Sequence, residues 1–288
     1  MHTKQFTPWL YLGPGLAILA FFLIYPSINT IYLSFFDRNS ENFVGTSNYI
    51  YAFTNRTMLT ALRNNILWVV VFTPLTVFLG LILAVMLDRV EYETTVKFII
   101  FMPMAISFVG ASVIWKFVYA YRPALASQIG LLNALRGILH LPPTPWLIKR
   151  PWINNFCLIA VGVWVWTGFC MVILSASYKG LPRQLLEAAR IDGATEWGIF
   201  WKIILPLMMP TVTVLITTQV INVLKVFDIV YVMTNGNFGT EVIANRMYKE
   251  MFNFRNFGRA SAIAVILLLL ILPILLVNLR RFRKQGAR

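Results

Sequence analysis

Long apolar runs separated by shorter polar segments dominate the sequence. A membrane-spanning helix needs about 20 consecutive, mainly apolar residues, because each residue adds only about 1.5 Å along the helix axis. Six runs meet this requirement, and polar connections divide them. The pattern therefore predicts an all-α integral membrane protein, with a single transmembrane domain over 1–288 and six transmembrane helices. The predicted spans cover about residues 9–32, 65–87, 98–119, 156–178, 204–224 and 260–279.

Composition agrees with membrane insertion and changes how the charge is interpreted. The chain is 58% hydrophobic and 12% charged, which leaves too much apolar surface for one soluble core. Its 25 Lys and Arg exceed its 11 Asp and Glu, for a formal charge of +14. In a soluble chain this excess would suggest nucleic acid, but here it favours anionic headgroups. We therefore expect membrane lipid, and no nucleic acid, among the partners.

The connection between the fourth and fifth runs is polar and rich in helix formers. Arg183–Ile191 has strong helix propensity, and Pro182 suits a first helical turn. Gly193 tolerates the positive φ of a helix stop, and Thr195 can cap a second short helix. Leu205-Pro206 would end that helix. The segment thus predicts a helix, a sharp turn and a second short helix at the membrane surface.

The same segment carries a set of motifs at fixed spacing. They are Glu187-Ala188-Ala189, Asp192-Gly193-Ala194, and Ile203 followed by Leu205-Pro206 and Pro210. Together they closely resemble the EAA loop of permease subunits of bacterial ABC importers. The longer match, with Leu181-Pro182 and Phe200, resembles the carbohydrate branch, of the maltose and glycerol-3-phosphate type.

The resemblance implies that residues 179–206 form a cytoplasmic coupling loop, whose helix docks in a cleft of an ATPase. It assigns the ATPase contact to Glu187, Ala188, Ala189, Asp192 and Gly193. Without the resemblance, the segment would be interpreted as an amphipathic surface helix with a local Glu187–Arg190 pair. One loop departs from the family, which usually shows Gly-Gly-Pro where this chain has Gly236-Asn237-Phe238.

The resemblance also implies a set of partners. They are a second, homologous permease subunit, two cytoplasmic ATPase subunits, and a periplasmic or lipid-anchored solute-binding protein. The chain contains no phosphate-binding GxxxxGK[ST] motif, so it is not expected to be an enzyme by itself. ATP and Mg would be bound by the partner ATPase, and no cofactor by this chain.

The distribution of basic residues gives an orientation in a bacterial inner membrane. The first run is too long for the apolar part of a signal peptide, so we predict an uncleaved span. Lys and Arg are denser on the side of the C-terminal tail, the 88–97 turn and the coupling loop, although the raw numbers on the two sides are equal. Because basic residues concentrate on the inner side, both termini and the coupling loop are predicted to be cytoplasmic.

Candidate solute-binding side chains lie in the two spans that flank the coupling loop. Sugars are bound by aromatic faces together with amide and hydroxyl groups. Trp166 and Phe169 in the fourth span, and Gln219 and Asn222 in the fifth, are pairs at i,i+3. The alternatives are ordinary helix or lipid packing for the aromatic pair and interhelical hydrogen bonds for the amides. Lys225 and Asp228, also at i,i+3, are expected to form an ion pair at the outer end of span five.

Three functions fit a chain of this class. An ABC importer permease for a sugar or glucoside, of the disaccharide or compatible-solute class, agrees with the EAA loop. A secondary transporter would need a midspan acid or an internal repeat, and the sequence shows neither convincingly. A membrane enzyme would need clustered His, Asp or Glu, whereas His2 and His140 lie in different regions. The sequence favours the importer permease.

Overall fold

The computed structural model describes residues 3–88, 90–123, 126–149 and 152–286, with side chains described from 11 to 278 within these ranges. The extreme termini, for which a cytoplasmic location was predicted, lie outside the described residues. The α-helices are α1 (Thr3–Leu19), α2 (Tyr25–Leu33), α3 (Ser47–Thr54), α4 (Arg56–Leu87), α5 (Glu93–Phe101), α6 (Phe108–Val118), α7 (Leu131–Ile138), α8 (Ile153–Lys179), α9 (Arg183–Ile191), α10 (Glu196–Ile199), α11 (Leu205–Leu224), α12 (Asp228–Met233), α13 (Ile243–Tyr248) and α14 (Phe257–Gly286). The predicted all-α class is confirmed.

Five helical segments are long and apolar enough to cross a membrane. They are Tyr11–Leu33, Arg56–Leu87, Ile153–Lys179, Glu196–Leu224 and Phe257–Asn278. These segments include most of the predicted spans one, two, four, five and six. The chain is therefore a multi-pass membrane protein.

The third predicted span, 98–119, is not one straight helix. The segments Glu93–Ala105 and Phe108–Val118 meet at an angle of 100°. Pro103 lies in a 3₁₀ turn, Ile106 is extended, and the Ser107 hydroxyl caps α6 by accepting a hydrogen bond from the Gly110 N–H at 3.1 Å. Because proline cannot donate and a capping serine starts a new helix, the apolar run breaks here. Counting this bent pair as one span gives six.

The fifth span also differs from the sequence prediction, because Leu205-Pro206 does not end the second short helix. Instead α10 continues through a π-helical turn, Phe200–Ile204, directly into α11. A π-helical turn changes the hydrogen-bond pattern just before Pro206, which has no N–H to donate. One continuous helical segment therefore runs from Glu196 to Leu224.

The chain divides into two compact units. One contains Met1–Leu59 and Arg246–Leu270, and the other contains Thr60–Asn245 and Ile271–Arg288. Within the second unit, α8 is the most buried of the apolar spans. Its large buried residues Leu158 and Ile159 pack in one cluster with Trp68 and Phe72 of α4.

Two glycines allow the helices of this unit to approach closely. A Cβ at Gly80 of α4 would lie 2.6 Å from the Cβ of Cys170 in α8. A Cβ at Gly168 of α8 would lie 2.4 Å from the carbonyl oxygen of Ile100 in α5. The second clash involves the main chain, which cannot rotate away as a side chain can. The broken third span is therefore positioned by a backbone contact that only glycine permits.

We expect Gly168→Ala to destabilise the protein. Forcing a methyl group into a filled contact costs about 1–3 kcal/mol, which exceeds the helix propensity gained from alanine. The measurement is the thermal unfolding temperature in mild detergent. Gly137→Ala is the matched control, because a Cβ at Gly137 of α7 meets no atom within 4 Å. An unchanged unfolding temperature for Gly168→Ala would contradict the close contact.

Candidate functional site

The coupling loop contains a helix that ends in a specific backbone motif. Gly193 follows α9 with φ +79°. Its N–H donates to the Arg190 carbonyl at 3.1 Å, and the Ala194 N–H donates to the Ala189 carbonyl at 3.0 Å. These two bonds form a Schellman motif, which needs a left-handed residue at this position. The sequence predicted this stop from Gly193, and Pro182 lies one residue before the helix as its N-cap.

The turn after α9 is fixed by one cap and one ion pair. The Thr195 hydroxyl accepts from the Gly198 N–H at 3.1 Å, as its capping role predicted. Arg190 Nε lies 2.7 Å from Glu196 Oε1, so Arg190 pairs with Glu196 and not with Glu187. The Glu196 carboxylate raises the pKa of the Arg190 guanidinium above its ordinary value. Both side chains are exposed, so the pair contributes little to stability and mainly fixes the turn.

The coupling loop presents a small, flat surface outward. Leu186 is buried in an apolar cluster that includes Tyr178 and Ile199, and this anchors one side of α9. Glu187, Ala188, Asp192 and Gly193 are exposed, and Ala189 is half-buried. The five residues assigned to the ATPase contact thus surround the C-terminal half of α9. Because alanine and glycine have no long side chains, a partner backbone could approach this surface closely.

Charged side chains connect the base of the coupling loop to the preceding turn. Lys179, at the end of α8, lies 2.7 Å from Glu93 Oε1. Lys97 also pairs with Glu93 and hydrogen-bonds Ser175. Beside this network is a cavity of about 300 Å³ lined by Asp88, Tyr178, Lys179, Leu181, Arg183, Leu186, Glu187 and Arg190. The network ties α5 to α8 where α8 enters the loop, so the loop is braced at its start.

The two aromatic candidates in the fourth span, Trp166 and Phe169, contact each other, and Trp166 also contacts a ring of α6. Trp166 stacks with Phe108 of α6 at a centroid distance of 6.0 Å and contacts Phe169 edge-to-face at 5.5 Å. Trp166 also lines a cavity of about 200 Å³, whereas Phe169 packs against the apolar cluster around Leu174. Trp166 therefore lines the cavity, whereas Phe169 does not.

The two amides in the fifth span have different surroundings. Asn222 is half-buried and lines the same cavity as Trp166. Gln219 is fully buried, and its Nε2 donates to Cys170 Sγ at 3.3 Å. Gln219 thus bridges α11 and α8, which is the interhelical role weighed against substrate contact. The structure brings Trp166 and Asn222 together and places Gln219 away from the cavity wall.

Sequence reasoning missed several residues of this cavity. Trp68 and Phe72 of α4 both line the cavity. Their i,i+4 spacing in the second apolar run is the sequence feature that could have identified them, because it places two aromatic rings on one helix face. Lys225 and Asp228 also line the cavity, and within the described chain no ion pair joins them. Their expected pairing is therefore wrong, because Lys225 ends α11 while Asp228 begins α12, and the two do not share a helix. The cavity has aromatic walls, one amide and two charged groups.

Two asparagines hold the loop that departs from the family pattern. Asn64 Nδ2 donates to the carbonyls of Gly239 and Glu241, both at 2.8 Å. Asn154 Nδ2 donates to the Phe238 carbonyl at 2.8 Å. Gly236 and Phe238 both have positive φ, +71° and +57°. Buried amide hydrogen bonds from α4 and α8 therefore hold a conformation that Phe238 alone would not favour.

The chain belongs to the family described as binding-protein-dependent transport system inner membrane component, which matches residues 76–284. The predicted membership of the ABC importer permeases is thus confirmed.

It is 62% identical to the osmoprotective compounds uptake permease protein of Synechocystis sp., over 96% of this chain and 99% of that protein. It is 47% identical to the alpha-glucoside transport system permease protein of Rhizobium meliloti, over 97% of this chain and 83% of that one. A crystal structure of a bacterial ABC transporter involved in the import of the acidic polysaccharide alginate has the same fold, with TM-score 0.81, 21% identity and 98% of both chains covered.

Proposed function

We propose that this chain is the permease of an ABC importer for a small glucoside, in the disaccharide or compatible-solute class. The observation that carries the proposal is the cavity in which Trp166 and Asn222 meet between the spans that flank the coupling loop. An aromatic wall and an amide suit a neutral, hydroxyl-rich solute. The relatives' roles in osmoprotectant and α-glucoside transport support the same class.

The energy for import comes from a separate ATPase in this proposal. Two ATPase subunits bind ATP and Mg and close on each other, and this closure moves the coupling helix that docks on them. The exposed surface around Glu187 and Gly193 is the ATPase contact. Because α10 continues directly into α11, a displacement of the loop is transmitted along one helical segment, Glu196–Leu224. That segment carries Asn222 near its far end.

The assembly proposed here has a defined arrangement. The chain pairs with a second, homologous permease in the bacterial inner membrane, with the termini and the coupling loop in the cytoplasm. A periplasmic or lipid-anchored binding protein delivers the solute at the opposite face. The family description, which specifies dependence on a binding protein, supports this delivery step.

The transport proposal is tested by reconstituting the purified complex in liposomes with its binding protein. We expect uptake of a radiolabelled α-glucoside to require ATP inside the liposomes, on the side of the coupling loop. Uptake should stop when the binding protein is omitted from the outside. Glycerol 3-phosphate serves as the comparison solute and is expected to be transported poorly, because the charge of Lys225 in the cavity lining is offset by that of Asp228, which leaves no net positive charge for a phosphate. Uptake driven by a proton or sodium gradient without ATP would contradict the proposal.

A further inference from the structure

A second cavity lies in the unit that contains the start of α14. It has a volume of about 240 Å³ and is lined by Arg38, Arg246, Glu250, Phe254, Asn256 and Arg259. We call it the arginine pocket. Three guanidinium groups share it with one carboxylate, so its lining is strongly positive. Neither the coupling loop nor the solute cavity includes any of these residues.

The single carboxylate of the arginine pocket already has two partners in the described chain. Glu250 is 1% exposed and accepts hydrogen bonds from Arg246 at 2.6 Å and from the Tyr51 hydroxyl at 2.8 Å. Arg246 also donates to the Tyr51 hydroxyl at 2.5 Å. The Nε of Arg246 is buried and has no acceptor within the described chain. Glu250 therefore neutralises Arg246 while one donor of that guanidinium stays unsatisfied.

The other two arginines have no acidic partner among the described residues. The Arg259 guanidinium lies over the Tyr51 ring at 4.0 Å, and Arg38 Nε donates to the Arg255 carbonyl at 3.4 Å. The adjacent acid, Asp37, accepts instead from the Asn42 side chain at 2.7 Å within its own turn, and this bond lowers the pKa of Asp37. Two positive charges thus face one cavity without a counter-charge. An anion is the group that would complete it.

Backbone contacts place Arg38 beside the start of α14. A Cβ at Gly258 would lie 2.0 Å from the Phe36 carbonyl oxygen, so this close approach requires glycine. The Phe257 N–H donates to the Arg38 carbonyl at 3.0 Å. Asn48 Nδ2 holds the Phe36 carbonyl at 2.7 Å. The position of Arg38 is therefore set by contacts to its own carbonyl and to the nearby Phe36 carbonyl.

The N-terminus of α14 adds to the positive potential. Asn256 lines the pocket and caps this helix by accepting from the Arg259 N–H at 3.0 Å. The first turn of α14 contains no acidic residue. The partial positive charge at a helix N-terminus favours anions, and here it acts together with the unpaired guanidinium groups.

Aromatic residues around the pocket indicate its depth relative to the bilayer. Phe252, Phe254 and Phe257 are exposed by 64%, 46% and 41%. Exposed phenylalanine rings at the start of an apolar span suit the boundary between acyl chains and headgroups, where arginine meets lipid phosphate. The predicted topology places this segment on the outer membrane face, since the span Glu196–Leu224 separates it from the coupling loop. The flanking apolar rings favour lipid over a soluble protein as the source of the anion.

We propose that the arginine pocket binds a phosphate group, supplied by the headgroup of an anionic phospholipid in the outer leaflet. The Arg38 and Arg259 guanidinium groups donate to the phosphate oxygens, and Arg246 Nε supplies a further donor. The ordered segment around Tyr51 and Glu250 is thereby held against the start of α14.

The test uses the assembled transporter complex, purified and delipidated in a neutral detergent. Phosphatidylglycerol, phosphatidylcholine or sodium phosphate is titrated at constant ionic strength. Native mass spectrometry measures the bound ligand and the unfolding temperature measures its effect. The double variant Arg38→Gln, Arg259→Gln is expected to weaken phosphatidylglycerol binding about 10-fold or more. Arg255→Gln removes a neighbouring exposed charge outside the pocket, and its binding should stay within about two-fold of the natural protein.

The single variant Arg38→Gln controls for misfolding of the double variant. It should fold normally, because the Arg38 side chain is exposed and the backbone contacts of this residue remain. It should also weaken phosphatidylglycerol binding. Equal, arginine-dependent binding of sodium phosphate would support the phosphate site and identify free phosphate as a source, whereas binding of phosphatidylglycerol alone would identify the lipid. Arginine-independent binding would overturn the proposal. The proposal would also be overturned if the double variant bound lipid normally but its ATPase were no longer stimulated by the binding protein. That result would identify a carboxylate of a partner protein as the occupant of the arginine pocket.

Discussion

Glu187→Lys is expected to reduce binding-protein-stimulated ATP hydrolysis by the assembled transporter at least about 30-fold, because reversing a charge at a docking interface commonly costs about 2 kcal/mol or more. Glu187 is exposed on α9, next to Ala188 and the Gly193 turn. Its change should leave the fold intact and act only on the ATPase contact. The measurement is the ATPase rate of the complex in liposomes with loaded binding protein.

The control for this variant is Glu91→Lys, which places the same charge change on an exposed residue of the turn before α5. That variant should keep its stimulated rate. Co-purification of the ATPase distinguishes two ways in which Glu187→Lys could act. Loss of the ATPase from the complex would show that the variant no longer binds the ATPase. Retention of the ATPase without stimulation would show that binding persists but that the signal from the binding protein no longer reaches the ATPase. A Glu187→Lys complex stimulated as well as the natural one would show that α9 is only a surface helix.

Local chemistry was enough to predict the turn between α9 and α10. Gly193 and Thr195 act through their own backbone and hydroxyl groups, so their roles as helix stop and N-cap depend on few neighbours. The Glu187–Arg190 pair of the alternative interpretation does not form, because Arg190 has a partner outside its own helix. The i,i+3 rule holds within one helix, whereas the Schellman turn brings Glu196 from the next helix within 2.7 Å of Arg190.

Breaks in apolar runs were harder to predict, because hydropathy measures partition into lipid and not helix continuity. Pro206 was interpreted as a stop, but a π-helical turn before it lets the helix continue. Pro103 lies in an apolar run of similar character, yet there Ile106 becomes extended and the segment bends by 100°. The backbone contact at Gly168 holds this bend against α8, and such a long-range contact leaves no local signal in the sequence.

Only two of the four candidate residues, Trp166 and Asn222, line the cavity, and helix geometry explains the difference. Residues at i,i+3 are rotated by about 60° relative to each other and displaced by about 4.5 Å along the axis. That offset is enough for Asn222 to line the cavity while Gln219 is buried against Cys170. The aromatic pair behaves in the same way, since Trp166 lines the cavity and Phe169 does not. Two residues that share a helix face therefore need not line the same cavity.

Asn222→Leu is expected to reduce ATP-dependent glucoside uptake by about 5- to 100-fold, because leaving a solute hydroxyl unpaired in a desolvated site costs about 1–3 kcal/mol. Leucine is larger than asparagine, but Asn222 is half-buried beside the cavity, which leaves room for the added volume, so the spans should pack as before. Trp166→Ala should cause a loss of at least similar size, since it removes the stacked ring and opens the wall toward Phe108. Both are measured as initial uptake rates in liposomes over a range of concentrations of loaded binding protein.

Gln219→Leu is the matched control on the same helix, because it removes an amide whose contact is the weak bond to Cys170. Its uptake should stay within about three-fold of the natural rate, as a lost bond to sulfur contributes little. The basal ATPase rate should be unchanged in Asn222→Leu, because the coupling loop is intact. If Gln219→Leu lost transport while Asn222→Leu kept it, the solute would have to pass deeper between α8 and α11 than the cavity at Trp166, and the position of the pathway would move by one helical turn toward the coupling loop.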